Sequence, residues 1–220
     1  MKESFEERCL DAALFAGINS EEINGLLMCI NAHTKDAAKG EMILSEGEPA
    51  ESLGIVLEGA VQIVREDYDG SRSIIAHIEA GGMFAETFAC AGIARMPVSV
   101  VMSQNGKVLL IKARRVLQPC SHCCAHHNLL MMNLMKILAG KNLLSNQKME
   151  ILSQKTTREK LLTYLRIEAK NKASAAFAIP FDRQELADYL GVDRSGLSTE
   201  IGKLQKEGVL RCDRKNFELL

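Results

Sequence analysis

Between Phe181 and Leu210 the chain reads FDRQELADYLGVDRSGLSTEIGKLQKEGVL, a pattern that confines this segment to two short helices around a tight turn. Asp182 is placed to cap the first helix, because its carboxylate can accept backbone N–H groups that lack a helical partner. Glu185, three residues on, completes a capping box. Leu186, Ala187 and Leu190 give that helix one apolar face. Gly191 ends it, since glycine takes the left-handed conformation without steric cost, and Val192 follows as an apolar plug between the helices. Asp193 can then cap the second helix. In it Leu197, Ile201 and Leu204 recur at steps of four and three and face inward, which turns Arg194, Ser195, Ser198, Thr199 and Gly202 outward. Polar side chains on the outward face near a helix start suit contact with base edges. Arg194, Ser195, Ser198 and Thr199 are the candidates for that contact, and Arg183 and Gln184 are candidate phosphate contacts that fix register. A helical hairpin packed in a core would show the same caps and period. The end of the chain favours DNA reading: Val209-Leu210 and Phe217 to Leu220 read as two short strands around Asp213-Arg214-Lys215-Asn216, the wing of a winged helix-turn-helix.

Charge is distributed in keeping with that reading. From Ser153 onward there are 13 Lys/Arg against 10 Asp/Glu, which leaves 14 against 18 for the remainder of a chain whose formal net charge is −1. The basic excess is small, so phosphate contacts are few per monomer and affinity must lean on dimerisation. A length of 220 residues with 47% hydrophobic composition allows one or two domains with ordinary cores. The apolar runs stop short of the roughly 20 residues of a membrane span. The start, MKESFEER, lacks the basic and apolar blocks of an export signal, which predicts a cytoplasmic protein with no membrane partner. The seven cysteines are then expected as thiols, with Cys9, Cys29, Cys90 and Cys212 as small core residues. No nucleophile, base and oxyanion set and no phosphate-cradling glycine loop is present in the pattern, so catalysis is not expected.

In the N-terminal half, Ser4 to Leu14 and Glu21 to Ile30 have helical spacing, with Asn19 and Glu22 as a capping pair. From Met42 the period changes to two. Met42 to Leu44, Gly54 to Leu57, Ala60 to Arg65, Ser73 to Ile78, Val98 to Met102 and Lys107 to Ile111 are short β-like runs. They are separated by turn signals at Gly47, Gly59, Gly70, Gly82 and Gly106. Strands so spaced predict a compact antiparallel roll, whose interior either holds a small ligand or is filled by its own side chains.

The order ILSEGEPAESLGIVLEGAVQIV, then YDGSRSIIAHIEAGGMFAE, then a long helix and a winged helix-turn-helix, resembles the CRP/FNR family of bacterial transcription regulators over nearly the whole chain. The resemblance implies an α+β fold in three parts: a double-stranded β-helix or jelly-roll sensor domain like those that bind cyclic nucleotides (1–125), a dimerisation helix (126–152) and a winged helix-turn-helix (153–220). It also implies double-stranded DNA, a second copy of the chain, RNA polymerase and a small-molecule effector as partners. Cyclic-AMP-binding members place the ligand against a Phe-Gly-Glu-Leu segment, whose Glu meets the ribose, and an Arg-Ser pair ten residues later holds the phosphate. Here the segment is Phe84-Ala85-Glu86-Thr87, and the later pair is Met96-Pro97. Arg95 is one residue out of register, which on a strand is the opposite face. Glu86, Thr87, Arg95 and Ser99 are the candidate effector contacts, but a buried cyclic phosphate without a cation costs several kcal/mol, so cyclic AMP is not expected. Nor does the chain carry the closely spaced N-terminal cysteines of the iron–sulfur members, or a Cys or His at Ala85 to Thr87 where haem members place a ligand.

Cys120, His122, Cys123, Cys124, His126 and His127 fall within eight residues. Cys120, Cys123, Cys124 and His126 are candidates for metal binding or a thiol redox switch, although one helical turn cannot supply four tetrahedral ligands; the other reading is a helix start with buried thiols. From about His126 to Leu152 the helix carries two apolar stripes. Leu130, Leu134, Ile137, Leu144 and Ile151 are read as the dimer seam, interrupted by Lys141 and Lys148, and Met131, Met135, Leu138, Met149 and Leu152 form the second series. Two apolar faces need two partners, the β-roll and the same helix of another subunit, whereas one broad core-facing stripe in a monomer is the other reading. Thr156 and Glu159 cap a further helix to Lys170, and a hinge is expected near Ser145 to Thr156. Family members commonly present Arg-Glu at the start of the recognition helix and a second Arg five residues after the first. Here Arg194 is followed by Ser195, and Thr199 stands at the second position, leaving one strong guanine reader per monomer. Two functions remain: an effector-gated dimeric regulator reading a palindromic site, or a stand-alone ligand, metal or redox sensor with a degenerate helix-turn-helix.

Overall fold

A computed structural model describes residues 5–66, 72–118 and 125–220. It begins with α1 (Phe5–Asp11), a 3-10 turn (Ala13–Phe15) and α2 (Ser20–Cys29). Strands β1 (His33–Ala37), β2 (Met42–Leu44), β3 (Ser52–Glu58), β4 (Ala60–Glu66), β5 (Arg72–Glu79) and β6 (Met83–Phe84) follow. Then come α3 (Glu86–Ala91), β7 (Ser99–Met102), β8 (Gly106–Lys112) and α4 (Ala113–Leu117). The strands form two four-stranded antiparallel sheets, ordered β1-β8-β3-β6 and β2-β7-β4-β5. Alternation along the strands drives Val56, Val61, Val100, Met102 and Val108 into one buried cluster, which Val98 joins from just before β7. Gly59 has φ +75°, and a Cβ there would lie 2.6 Å from the Asn105 carbonyl oxygen, so this turn closes only with glycine. The roll is therefore the jelly-roll type expected, with an apolar cluster buried in it.

Four N-terminal elements are absent from the sequence reading: β1, β6, α3 and α4. Strand β1 reads His-Thr-Lys-Asp-Ala, with no apolar alternation, and exists because it pairs with β8, His33 opposite Leu110. Asn19 does occupy the cap position of α2, but its side chain makes no capping hydrogen bond. The Asn19 carbonyl accepts from Glu22 and Ile23 instead.

The long helix α5 runs Ala125–Leu152, and the chain divides into two compact units within it, Met1–Ala139 and Gly140–Leu220. In the first unit Leu130 and Leu134 are buried in the core formed with α1, α2 and β8, and Ile137 packs against it. Buried Asn133 donates to the carbonyls of Leu14 (3.0 Å) and Ala16 (2.8 Å). In the second unit Ile151 is buried with the C-terminal helices. These positions correct the expected seam: Leu130, Leu134 and Ile151 are core residues, Ile137 is half-buried against the core, and of the five only Leu144 is exposed. Core stripe and dimer seam share the same three–four spacing, so periodicity alone cannot separate them.

The second unit continues with α6 (Thr157–Asn171), β9 (Ala176–Ala178), α7 (Arg183–Leu190), α8 (Arg194–Lys206), β10 (Leu210–Asp213) and β11 (Asn216–Leu219). Its core is Leu161, Tyr164, Leu165, Leu186, Leu197 and Ile201 with their neighbours. The wing is three-stranded, ordered β10-β11-β9, with Phe217 paired opposite Phe177. Strand β9 was not expected from sequence, because Ala-Phe-Ala is too short to signal by itself. No helix among the described residues is long and apolar enough to cross a membrane.

Candidate nucleic-acid interface

Three helices of the second unit begin at side-chain caps. Thr156 accepts from Glu159 N at 3.2 Å, and the Glu159 carboxylate returns to Thr156 N at 3.1 Å. Asp182 accepts from Glu185 N at 2.9 Å, and Glu185 accepts from Asp182 N at 2.6 Å. Asp193 accepts from Gly196 N at 2.7 Å. These bonds hold the carboxyls below their usual range: Asp193 through Ser195 and then Gly196, Asp182 through the Glu185 amide, Glu159 through Thr156. Gly191 (φ 60°, ψ 51°) makes the left-handed turn from α7 toward α8.

With Leu197, Ile201 and Leu204 buried, Arg194, Ser195, Ser198 and Thr199 are all exposed on the other side of α8. They are not equally available. Ser195 donates to the Asp193 carboxylate, and Thr199 Oγ1 donates to the Ser195 carbonyl at 3.0 Å. The Arg194 guanidinium makes no hydrogen bond or ion pair with the described residues, though its charge helps lower the Asp182 carboxyl. Arg183 does not reach outward. It lies over the Phe217 ring (5.9 Å) and donates to Cys212 Sγ at 3.4 Å, so it braces the wing in this structure. Gln184 is exposed and bonds to Asp188 at 2.8 Å.

Other basic side chains are also committed internally. Lys215 donates to the Pro180 carbonyl (2.7 Å), Lys172 to that of Ala178, and Arg211 pairs with Glu218. Arg158 at the start of α6 pairs with Glu207 and, at 3.5 Å, with Glu200, and so pins the recognition helix from behind. No local pattern joins Arg158 to Glu200 and Glu207, the latter 49 residues away, which is why sequence reasoning missed it.

The proposed effector contacts do not converge. Glu86 is 3% exposed and accepts from the Thr87 hydroxyl at 3.1 Å, while Thr87 itself is exposed. Arg95 lies outside the roll interior, exposed and donating to the Gly47 carbonyl at 2.6 Å. Ser99 Oγ accepts from Glu46 N at 3.0 Å. Both therefore brace the turn at 46–49. Met96, where the family's arginine would stand, is 2% exposed inside the apolar cluster. Ala85 keeps a left-handed φ of 60° at the family's glycine position.

Cys120, His122, Cys123 and Cys124 lie outside the described residues. His126 Nε2 meets the Glu22 carboxylate at 2.9 Å. His127 is buried; its Nε2 donates to the Val116 carbonyl at 3.0 Å, and its Nδ1 has no hydrogen-bond partner among the described residues. Cys9 is buried, whereas Cys29, Cys90 and Cys212 are only half-buried. Burial raises the Cys90 thiol above its ordinary pKa.

Comparison with known proteins agrees with both halves. Residues 34–123 match the cyclic nucleotide-binding domain, and residues 159–220 match the Crp-like helix-turn-helix domain. The transcriptional activator protein FnrL of Cereibacter sphaeroides is 24% identical, covering 94% of this chain and 84% of its own. The transcriptional activator protein anr of Pseudomonas aeruginosa is 24% identical over 83% of this chain and 74% of its own. Among solved structures, the catabolite activator protein of Thermus thermophilus shares the fold with a TM-score of 0.55 and 22% identity, covering 95% of this chain and 94% of its own.

Proposed function

This chain belongs to the CRP/FNR family of DNA-binding transcription regulators, which are not enzymes, and from that premise we propose that it is a cytoplasmic homodimer that reads a palindromic site under the control of an effector. The observation that carries the reading is α8: a capped helix, buried on one side, presenting the unengaged Arg194 on the other. A guanidinium so placed suits bidentate contact with guanine in the major groove. Few basic side chains remain for phosphate, so the second subunit supplies the affinity that one lacks.

The dimer seam is a different stripe from the one first expected. Met132, Met135, Ala139, Asn142, Asn146 and Met149 follow steps of three and four along α5, and all are exposed. Met135 is 57% and Met149 61% exposed, an unusual surface for methionines unless a partner covers them. Asn142 and Asn146, bonded at 3.0 Å, put polar layers in the middle of the seam, a device that fixes register at a cost in stability. Half-sites then lie one helical turn apart. RNA polymerase is the expected further partner of such a regulator.

The effector is not cyclic AMP held in the family manner, because Met96 supplies neither charge nor hydroxyl. A second reading of the input rests on His127, whose buried Nδ1 has no hydrogen-bond partner among the described residues and which follows the cysteine-rich stretch in sequence: metal or thiol chemistry at 120–127 gates the protein. Metal analysis after metal-replete purification, with DNA affinity measured oxidised and reduced, decides this; no metal and no redox dependence removes it. Selection from a random duplex pool tests the main reading, with enriched inverted repeats expected and none fatal to it. Sedimentation at micromolar concentration tests the seam, where a dimer is expected and Met135→Lys should yield monomer.

A further inference from the structure

Lys148 interrupts an apolar stripe of α5 and has no part in the interface described above. Its ammonium lies 3.3 Å from the centroid of the Tyr189 ring and also donates to the Tyr189 carbonyl. A second lysine, Lys160 of α6, donates to the Gly191 carbonyl at 3.4 Å. Tyr189 to Gly191 is the C-terminal end of α7, where carbonyls lack helical partners and the helix carries partial negative charge. Two cations from two helices thus converge on one helix end. Burial first, and then the charge of Lys160, pulls the Lys148 pKa below the ordinary lysine value.

The group that Lys148 grips is rigid. The Tyr189 ring stacks on Phe181 at 4.8 Å and meets Tyr164 at 5.3 Å, and Tyr164 is buried in the core. One turn further along α5, Ile151 enters the same core. Leu152 ends the helix against Gly191, where a Cβ would lie 3.6 Å from the leucine side chain. The end of α5 is therefore seated on the end of α7 by one polar and two apolar contacts. The apolar contacts resist separation but permit rotation, whereas a cation shared by a carbonyl and a ring face defines an angle.

We propose that Lys148 is a positioning residue that sets the angle at which the helix-turn-helix leaves α5, and so sets the separation of the two recognition helices in the dimer. The inference rests on the dimeric, half-site-reading function proposed above. Lys148→Met keeps the apolar stem and removes the cation, and Lys148→Arg keeps a cation with several donors.

Two measurements test it. Amide hydrogen exchange at residues 188–192 should quicken about tenfold in Lys148→Met, with 194–206 unchanged, and Lys148→Arg should resemble wild type. In selections with variable half-site spacing, wild type should discriminate against each inserted base pair by roughly tenfold and Lys148→Met by less than about threefold, with Lys148→Arg again restored. Wild-type exchange and spacing preference in Lys148→Met would overturn the proposal, as would an Arg variant as defective as the Met variant. If wild type selects no paired half-sites, the dimeric reading fails, while the exchange experiment still decides whether the cation holds α7 to α5.

Discussion

The two units of this protein are held together in different ways. In the N-terminal unit no side chain caps α2, α3 or α4; two sheets, paired across long stretches of sequence, close over an apolar interior. In the C-terminal unit α6, α7 and α8 each begin at a side-chain cap, and the sheet is small. The contrast extends to function. The place where relatives of this fold hold a ligand phosphate is filled by Met96 and its neighbours, whereas the outward face of α8 is polar, exposed and led by an arginine with no internal bond. In the N-terminal unit Met96 is packed among apolar side chains, and in the C-terminal unit the outward face of α8 is left exposed.

The sharpest way to break that contrast is to put the family's cation back at Met96. Met96→Arg should destabilise the N-terminal unit by about 3–5 kcal/mol, since it puts a charge into the apolar cluster, and should confer no cyclic nucleotide binding. Calorimetry with and without the nucleotide checks both; a stable, nucleotide-binding variant would mean the interior is not committed to packing. At the reading end, Arg194→Ala should remove about 1–3 kcal/mol of discrimination per half-site and leave the melting temperature unchanged, as binding titrations would show. Thr199→Arg, which adds a second guanidinium to the same face, should shift the selected sequence.

Acidification should separate the units without mutation. Glu159, Asp182, Asp193 and Glu207 in the C-terminal unit have folded pKa values below their ordinary ones, against Glu41 and Glu51 among the described residues of the other. A depressed folded pKa contributes stability that is complete above the unfolded value, about 3.9 for Asp and 4.3 for Glu, and is lost as pH falls through the folded value. Between neutrality and about pH 5 neither unit should change from this cause. Below about pH 4 the C-terminal unit should lose more of its melting temperature, and equal losses would contradict the role given to the caps. The smallest effect is the most diagnostic. Gly202 has nothing within 4 Å of a Cβ placed on it, so nothing inside the protein requires glycine there. Gly202→Ala should stabilise α8 by up to about 1 kcal/mol and weaken DNA binding, because the added methyl lies on the side of α8 proposed to face the groove. A rise in both stability and affinity would place DNA elsewhere.

The same contrast explains what the sequence revealed. Asp182 with Glu185, Thr156 with Glu159, and Gly191 are signals complete within a few residues, so the helix-turn-helix could be located almost residue by residue. Strand β1 exists only through β8, some seventy residues later, and β9 only through β11, so neither announces itself locally. Leu130 and Met135 obey the same helical period, and only the position of α1 and the 3-10 turn decides which one is core. Arg183 shows a subtler limit. It stood where a phosphate contact belongs, yet the wing offers it Phe217 and Cys212. Lys148, which looked like a flaw in a stripe, grips a helix end that lies far from it in sequence.

The central claim is that one arginine per subunit reads one guanine per half-site. It is tested most directly by a double-mutant cycle on an enriched duplex, combining Arg194→Ala with replacement of the half-site guanine by 7-deazaguanine, which lacks the N7 acceptor. The account predicts that the base change costs wild type about 1–3 kcal/mol and the Arg194→Ala protein almost nothing. Equal penalties in both proteins would show that Arg194 is not the reader.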